Sequence, residues 1–466
     1  IDGVDNQAPG LNFSLGNFLG SSELDVLKVD LIAGASSAYY GPNAFNGVIS
    51  ISTRSPFFKP GLEVSVKLGE RNMLETSIRW SQVFKNKSKE EKFGYKLNIF
   101  SLKANDWEAK NLDPTSQSKS GVANPGGYDA VNRYGDEYIS NADFSTSPVS
   151  FPGLGIWYRT GYLEKDIVDY DTRNIKLGAA FHYKLTKDVE AILASNFGTG
   201  TTVYQGDNRY SLKDILFFQH RIELRQQDKF FVRAYTTNED AGNSYDAFYT
   251  ALKLQQVTKT DSRWAQDYYN FWAIHFSNSL MQLPGFPQLS EYPNYTAYAN
   301  AINPWLMENY PDLLQQYHDS ARTYADNTIS VTAQVARFEP GTARFDSAFS
   351  AITSTLVTEG GSQFYDKSSL LHFQGEYKFT PTFADIIFGC NYREYSPDSK
   401  GTIFQDTGKS TITNREMGAY AGLEKKLPGD KLKLNATARA DKNENYDILF
   451  SPALSAVYSF NPKQIV

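Results

Sequence analysis

From Gly61 onward the chain alternates greasy and wet residues with a period of two, the spacing of a β-strand whose two faces meet different surroundings. Leu62, Val64, Val66 and Leu68 alternate with Glu63, Ser65 and Lys67, and Phe93, Tyr95, Leu97 and Ile99 with Gly94, Lys96 and Asn98. The pattern returns at Ile175 to Tyr183, at Leu371 to Phe379 and at Leu432 to Ala438. It predicts strands near 61–69, 73–84, 93–105, 172–185, 188–198, 213–224, 229–238, 369–379, 383–395, 412–427, 431–441 and 449–460. The connections after every second strand are mostly short: Thr186-Lys187, Gln226-Gln227-Asp228, Thr380-Pro381-Thr382 and Pro428-Gly429-Asp430, with Asn86 to Lys92 the loosest. Most of the others are long, led by Asn105 to Asp171, Glu239 to Ser368 and Ser396 to Thr411, while Gly69 to Asn72 is brief. A soluble sandwich has no reason to sort its loops by strand parity. An antiparallel transmembrane β-barrel does, with short turns on one side and long loops on the other.

Aromatic residues gather beside the short turns, at Phe84, Phe93, Tyr183, Tyr377, Phe379, Tyr458 and Phe460, as an interfacial girdle would. The mean hydropathy of −0.45, despite 14% aromatics, fits faces that cancel in any window, and fits a soluble all-β protein as well. No stretch approaches the ~18 apolar residues of a helical span, so a helical membrane protein is excluded.

The Glu239 to Ser368 connection breaks the alternation. Phe248 to Gln256, Trp264 to Met281, Thr296 to Tyr310, Leu313 to Tyr324 and Phe345 to Leu356 have helical spacing, punctuated by prolines. A helical external cap, 239–368, is expected there. Its Trp264, Tyr268, Tyr269, Trp272, Tyr295, Tyr298 and Trp305 form either an aromatic platform for a ligand or partner, or the cap's own core. Asn105 to Asp171 reads as a second external loop.

Little chemistry stands out. The five histidines, 182, 220, 275, 318 and 372, lack zinc spacing. Asp441, Asn443, Asn445 and Asp447 alternate like a calcium loop, but Tyr446 replaces the turn glycine and no glutamate closes the ring. With no nucleophile elbow, phosphate loop or dinucleotide fingerprint, the chain offers no catalytic residue, metal site or cofactor site. One cysteine, Cys390, allows no intramolecular disulfide, and a net charge of −6 gives no stripe for nucleic acid.

Ahead of the first alternating strand lies LIAGASSAYYGPNAFNGVISISTRSP, Leu31 to Pro56, in which two apolar runs flank a core of small residues. Missing side chains let backbone approach backbone closely, so this stretch belongs in a confined place.

The stretch closely resembles the end of the plug domain of TonB-dependent outer-membrane receptors. In that family a strand leads into G-x-x-S-A-x-Y-G-x-x-A-x-x-G-V-I-x-I, and the barrel follows. Gly34, Ser37, Ala38, Tyr40, Gly41, Ala44, Gly47, Val48, Ile49 and Ile51 match, and Ile1 to Val4 looks like the preceding plug strand. The wording G-P-N-A-F-N-G followed by S-P is similar to receptors of Bacteroidota-type bacteria, while Gly34-Ala35-Ser36-Ser37 departs from the acidic turn of their glycan-receptor branch. Arg439, Asp441, Phe450, Ser451 and Pro452 match a second family segment, an R-x-D strand end followed by F-S-P, although Ala453 stands where Arg is frequent.

The resemblance implies residues 1–56 as the C-terminal part of a plug and 57–466 as a partial barrel, since family barrels have about 22 strands. It implies a receptor integral to the bacterial outer membrane that imports a scarce solute (siderophore, peptide, glycan or similar) by plug rearrangement. Energy would come from the TonB-ExbB-ExbD system. In that setting Asn6, Asn12 and Asn17, on the Asp5 to Gly20 loop, are candidate solute contacts, and a surface lipoprotein or other outer-membrane protein is a candidate partner. The alternative is a receptor-shaped scaffold subunit of an outer-membrane assembly. A soluble β-rich adhesin or enzyme is a third reading.

Overall fold

The computed structural model describes every residue except 12–17, 34–36, 42–43, 45–46, 330–333, 409–410, 428–430, 462–463 and 466. A short hairpin comes first. β1 (Val26–Ala33) pairs antiparallel with β2 (Gly47–Thr53), and one helical turn, α1 (Ser37–Tyr40), lies in the connection. β3 (Gly61–Gly69), β4 (Met73–Lys85) and β5 (Glu91–Asn105) then open the main sheet. Two short strands, β6 (Arg133–Tyr134) and β7 (Tyr162–Leu163), pair with each other in the long connection, which ends in α2 (Glu164–Ile167). The sheet resumes with β8 (Asp171–Lys184), β9 (Val189–Gln205), β10 (Arg209–Gln226), β11 (Phe230–Asp240) and the short β12 (Tyr245–Asp246). It ends with β13 (Ser369–Phe379), β14 (Asp385–Ser396), β15 (Asn414–Lys426), β16 (Leu432–Asn443), β17 (Leu449–Asn461) and β18 (Gln464–Ile465).

Each long strand pairs antiparallel with the next long strand in the chain, giving a 14-stranded meander in which β12 joins β10. All the strands expected from the alternation are present. β9 and β10 run further than the pattern suggested, because their ends stay paired from Arg209 opposite Gln205 and β12 extends that end of the sheet. One expectation fails: Ile1 to Val4 is no strand. Asp2 and Gly3 have φ of +50° and +75° and form a turn closed by the Val4 amide on the Ile1 carbonyl at 3.0 Å.

The two faces of the sheet are buried in the reverse of the soluble order. Leu177 is 44% exposed and its neighbour Lys176 only 7%; Phe373 is 48% exposed and His372 only 2%. The wet face curls around the N-terminal segment and the greasy face looks outward. On the greasy face, near the short turns, rings touch in a row: Phe84 with Phe93, Phe93 with Phe181, and Phe230 with Tyr377 at centroid distances of 5.8, 6.4 and 6.4 Å.

The long connections build a separate helical cap. Its helices are α3 (Ala247–Thr258), α4 (Asp261–His275), α5 (Ser277–Met281), α6 (Tyr295–Asn309), α7 (Pro311–Asn327) and α8 (Ala343–Thr353). Side-chain caps set their starts: Asp246 accepts from the Tyr249 amide at 2.9 Å, Asn294 from Ala297 at 2.8 Å and Thr342 from Phe345 at 3.2 Å. The single helix expected over Trp264 to Met281 is broken at Phe276, whose non-helical backbone separates α4 from α5.

This cap has its own apolar core. Trp264, Tyr268 and Trp272 of α4 are buried among Leu280, Ile302, Leu306 and Leu314. Leu154 and Trp157 complete it from the other long connection, which is therefore part of the cap rather than a second independent loop. The aromatic-platform expectation is corrected here: at 1%, 0% and 0% exposure, Trp264, Tyr268 and Trp272 have no surface to offer a ligand. Tyr269, Tyr298 and Trp305 pack against the same cluster, and Tyr295 alone of the set is largely exposed.

His318 of α7 sits inside this core, with Nδ1 2.8 Å from the Tyr268 hydroxyl and Nε2 3.1 Å from the Gly153 carbonyl. Burial pushes its pKa from 6.5 down to about 3. The folded cap therefore holds neutral imidazole while the unfolded chain takes up a proton below pH 6.5, so this contribution is present above 6.5 and lost on acidification. In thermal unfolding followed by tryptophan fluorescence, stability should fall below pH 6.5 more steeply than in His318→Gln, by about 1.4 kcal/mol per pH unit. Parallel pH profiles would contradict this.

Candidate functional site: an ionic clamp on the N-terminal segment

Charged residues at wet-face positions of the strands would be stranded if nothing filled the concave side. The N-terminal segment meets them. Asp25, 1% exposed at the start of β1, accepts hydrogen bonds from Arg79 Nε at 2.8 Å, Lys96 Nζ at 2.7 Å and Asn98 Nδ2 at 3.0 Å. Arg79 also donates to the Lys59 carbonyl at 2.9 Å, and Lys96 to Thr53 Oγ1 at 2.6 Å and the Arg54 carbonyl at 3.0 Å. One carboxylate thus ties the entrance of β1 and the exit of β2 to β4 and β5.

The Asp2–Gly3 turn makes a second anchor. Asp2 accepts from the Thr53 amide at 2.8 Å and hydroxyl at 2.7 Å, and its carbonyl accepts from Arg221 Nη1 at 2.8 Å. Burial alone would raise this carboxyl, but the charges of Arg221 and Lys96 and the Thr53 bonds hold it below its ordinary value. The Gly3 carbonyl accepts from Arg233 Nη1 at 3.0 Å and Gln374 Nε2 at 2.8 Å, and a Cβ at Gly3 would lie 2.0 Å from Arg233 Nη1. The positive φ favours glycine there, and a side chain would push the Arg233 guanidinium out of its place. Glu223 braces the guanidinium groups, 3.2 Å from Arg221 and 2.8 Å from Arg233.

The third anchor joins residues from both sequence segments that stood out. Gly41 has a φ of +97°, and a Cβ there would sit 3.4 Å from Arg439 Nη2. Arg439 is held flat by Asp441, with Nε 2.9 and 2.8 Å from its two oxygens and Nη2 2.7 Å from Oδ1. Beside it, Tyr39 donates to Asn435 Oδ1 at 3.1 Å and meets the Tyr420 ring edge-on. A fourth contact lies at the loop end of the sheet, where Glu239 accepts from the Gly10 amide and, at 3.3 Å, from the Leu11 amide.

Of the residues expected to matter, Ala38, Gly41 and Ala44 are buried in the interface, Tyr40 is 44% exposed, and Gly47 opens β2. Ser37 begins α1 and Asn6 is half-buried. Gly34, Asn12, Asn17 and the Pro428 to Asp430 turn lie outside the described residues. The clamp residues Asp2, Asp25, Arg79, Lys96, Arg221 and Arg233 went unmarked in the sequence. The four basic ones had a single signal, a basic side chain at a wet-face position of an otherwise alternating strand; the two aspartates had none. Asp441 is committed to Arg439, which leaves the calcium-like run without its first ligand. Among the described residues no group of three or more His, Cys, Asp or Glu could hold a metal.

No known family profile matches the chain, and no curated protein sequence does. Solved structures similar to it include a mutant of the ferric enterobactin receptor from Pseudomonas aeruginosa, with 11% identity and a TM-score of 0.48, covering 94% of this chain and 47% of that one. The siderophore receptor PirA from Acinetobacter baumannii is 11% identical with a TM-score of 0.43 (94% and 46% covered). The FrpB iron transporter from Neisseria meningitidis is 10% identical with a TM-score of 0.45 (94% and 50% covered). The chain spans about half the length of these structures.

Removing one partner from a buried ion network leaves the others charged and unpaired. Asp25→Ala should therefore cost about 3–5 kcal/mol of docking between the segment and the sheet. Proteolysis between β2 and β3, or hydrogen exchange of β1 amides, reads the loss; protection equal to wild type would show that Asp25 is not an anchor.

Proposed function

We propose that the chain is the plug end and the first part of the barrel of a TonB-dependent outer-membrane receptor that imports a scarce solute. The observation carrying this reading is the reversed burial of the sheet. A face of Leu, Val, Ile and Phe turned outward has a stable home in hydrocarbon, and a closed or closing antiparallel sheet is one of the two backbone solutions that hydrocarbon permits. The row of touching rings beside the short turns suits the level of the headgroups.

The other face supports transport rather than a static scaffold. The N-terminal segment is fastened mainly by hydrogen bonds and ion pairs, whose net worth against water is about 0.5–1.5 kcal/mol each, or up to ~3 with a charged partner. Such contacts can be exchanged for water one at a time, so a pull on the segment can open a path that an apolar plug would resist. The cap stands over the long-connection end, where an arriving solute meets the protein first.

Spin labels test the reading in a native membrane, on a Cys390→Ser background because Cys390 is exposed. Labels at Leu177, Phe373 and Leu434 should report contact with hydrocarbon, and labels at Lys176, Gln374 and Lys433 should not. Equal accessibility of the two sets to a lipid-soluble quencher would defeat the proposal.

A further inference from the structure

At the loop end of the sheet two buried carboxyl groups meet with no cation to balance them. There the ladder runs on toward the cap: the Glu239 amide donates to the Ser368 carbonyl at 3.1 Å and the Ala241 amide to the Asp366 carbonyl at 2.8 Å. Glu239 and Asp366 therefore share a face, diagonal across the ladder, with their side chains in hydrogen-bonding reach of each other. Glu239 is 4% exposed and Asp366 0%. Glu239 Oε2 and Asp366 Oδ2 have no hydrogen-bond partner among the described residues, and neither side chain forms an ion pair with them.

The surroundings supply no countercharge. Phe217, opposite Glu239 on β10, and Phe364, two residues before Asp366, belong to an apolar cluster with Ala8 and Leu11 of the N-terminal segment. Asp398, whose amide donates to Ser368 Oγ at 3.1 Å, also faces Asp366 and adds negative charge. The next pair along the ladder, Asp240 and Lys367, is satisfied internally at 2.9 Å. Two anions in contact in such a place would repel with little water to screen them.

The N-terminal segment closes the site. Glu239 Oε1 accepts from the Gly10 amide and, at 3.3 Å, from the Leu11 amide. A Cβ on Gly10 would lie 2.7 Å from Asp366 Oδ1 and nearer still to Oδ2. Backbone packed this tightly against both groups suits a shared proton, which needs no cavity, rather than a metal ion.

We infer that Glu239 and Asp366 hold one proton between them, and that this proton fastens the Gly10–Leu11 stretch of the N-terminal segment to the loop end of the sheet. The proton bridges Oε2 and Oδ2 and leaves Oε1 to accept from the two amides. Its loss to water puts two charges face to face beside Gly10, and the stretch is pushed off. The docked pair keeps a proton that the same groups release once they reach water, so docking is favoured on the acid side and weakens as pH rises. Asn238 and Asp240, the outward neighbours on β11, are polar, which places the latch beyond the greasy belt. The inference concerns docking of the segment and stands whether or not the chain imports a solute.

Infrared difference spectra of the purified full chain in detergent test it. At neutral pH wild type should show the carbonyl stretch of a protonated carboxyl that is missing from both Glu239→Gln and Asp366→Asn, because either new amide donates to the remaining carboxylate in the proton's place. Hydrogen exchange of the Gln7 to Leu11 peptide, corrected for intrinsic rates, gives the second readout. Protection in wild type should fall at least tenfold between about pH 6 and about pH 9, and in Glu239→Gln it should change less than threefold. Asp366→Asn carries the same comparison if Glu239→Gln does not fold. No such band in wild type, a band that survives Asp366→Asn, or equal pH profiles in wild type and variant would overturn the assignment.

Discussion

Arg79, Lys96, Arg221 and Arg233 point to the concave side of a sheet whose other side is greasy, and each must find a counter-charge there. This requirement organises the molecule. A carboxylate at the start of β1 and another in the Asp2–Gly3 turn answer those cations from the N-terminal segment. Glu223 and Glu190 answer the surplus from within the sheet. The sheet therefore cannot present its wet face without the segment, and the segment, a two-stranded hairpin with one helical turn, has too little apolar surface to stand alone. Neither part is a complete fold without the other.

The cap obeys the opposite rule. Its helices bury tryptophans and leucines in a conventional apolar core, with polar exceptions such as His318 held by specific hydrogen bonds. A chain with both kinds of interior places them in different surroundings: an ordinary core where water surrounds the helices, and an ion-paired interior where the outside of the sheet is greasy. The two long connections share one core, so the cap is a unit built from segments far apart in the sequence. That unity gives the loop end of the sheet a defined ceiling.

Local periodicity was readable from the residues alone, which is why each alternating run became a strand and the helical spans of the insertion became helices. Alternation also marked which positions share a face, and Lys176 and His372 were assigned correctly to the wet one. What periodicity does not carry is pairing between distant elements. Asp25 looked like any acidic residue before a strand, and nothing near it in sequence announced Arg79 or Lys96. The cap tryptophans were ambiguous for the same reason: an indole on a helix face fits either a platform or a core until the neighbouring helices are placed. Ile1 to Val4 misled because an apolar pair flanking Asp-Gly reads equally well as a strand end or a turn, and the positive φ at both central residues decides for the turn.

The small residues mark where the two halves approach most closely, and they occur on both sides of the contact. Gly3 and Gly41 in the segment face Arg233 and Arg439, while Gly198 and Gly422 in the sheet face the Phe18 carbonyl and the Tyr39 hydroxyl. A Cβ at Gly198 would stand 1.8 Å from Phe18 O, so backbone lies directly on side-chain-free strand at that point. Gly41, of the small-residue run near the start of the chain, lies against Arg439 of the Arg-x-Asp pair near its end. Asp441, two residues on and so on the same face of the strand, holds the Arg439 guanidinium flat, and Gly41 lies over it with a φ of +97° that favours glycine. The two segments meet in one contact, Gly41 against the Arg439 guanidinium.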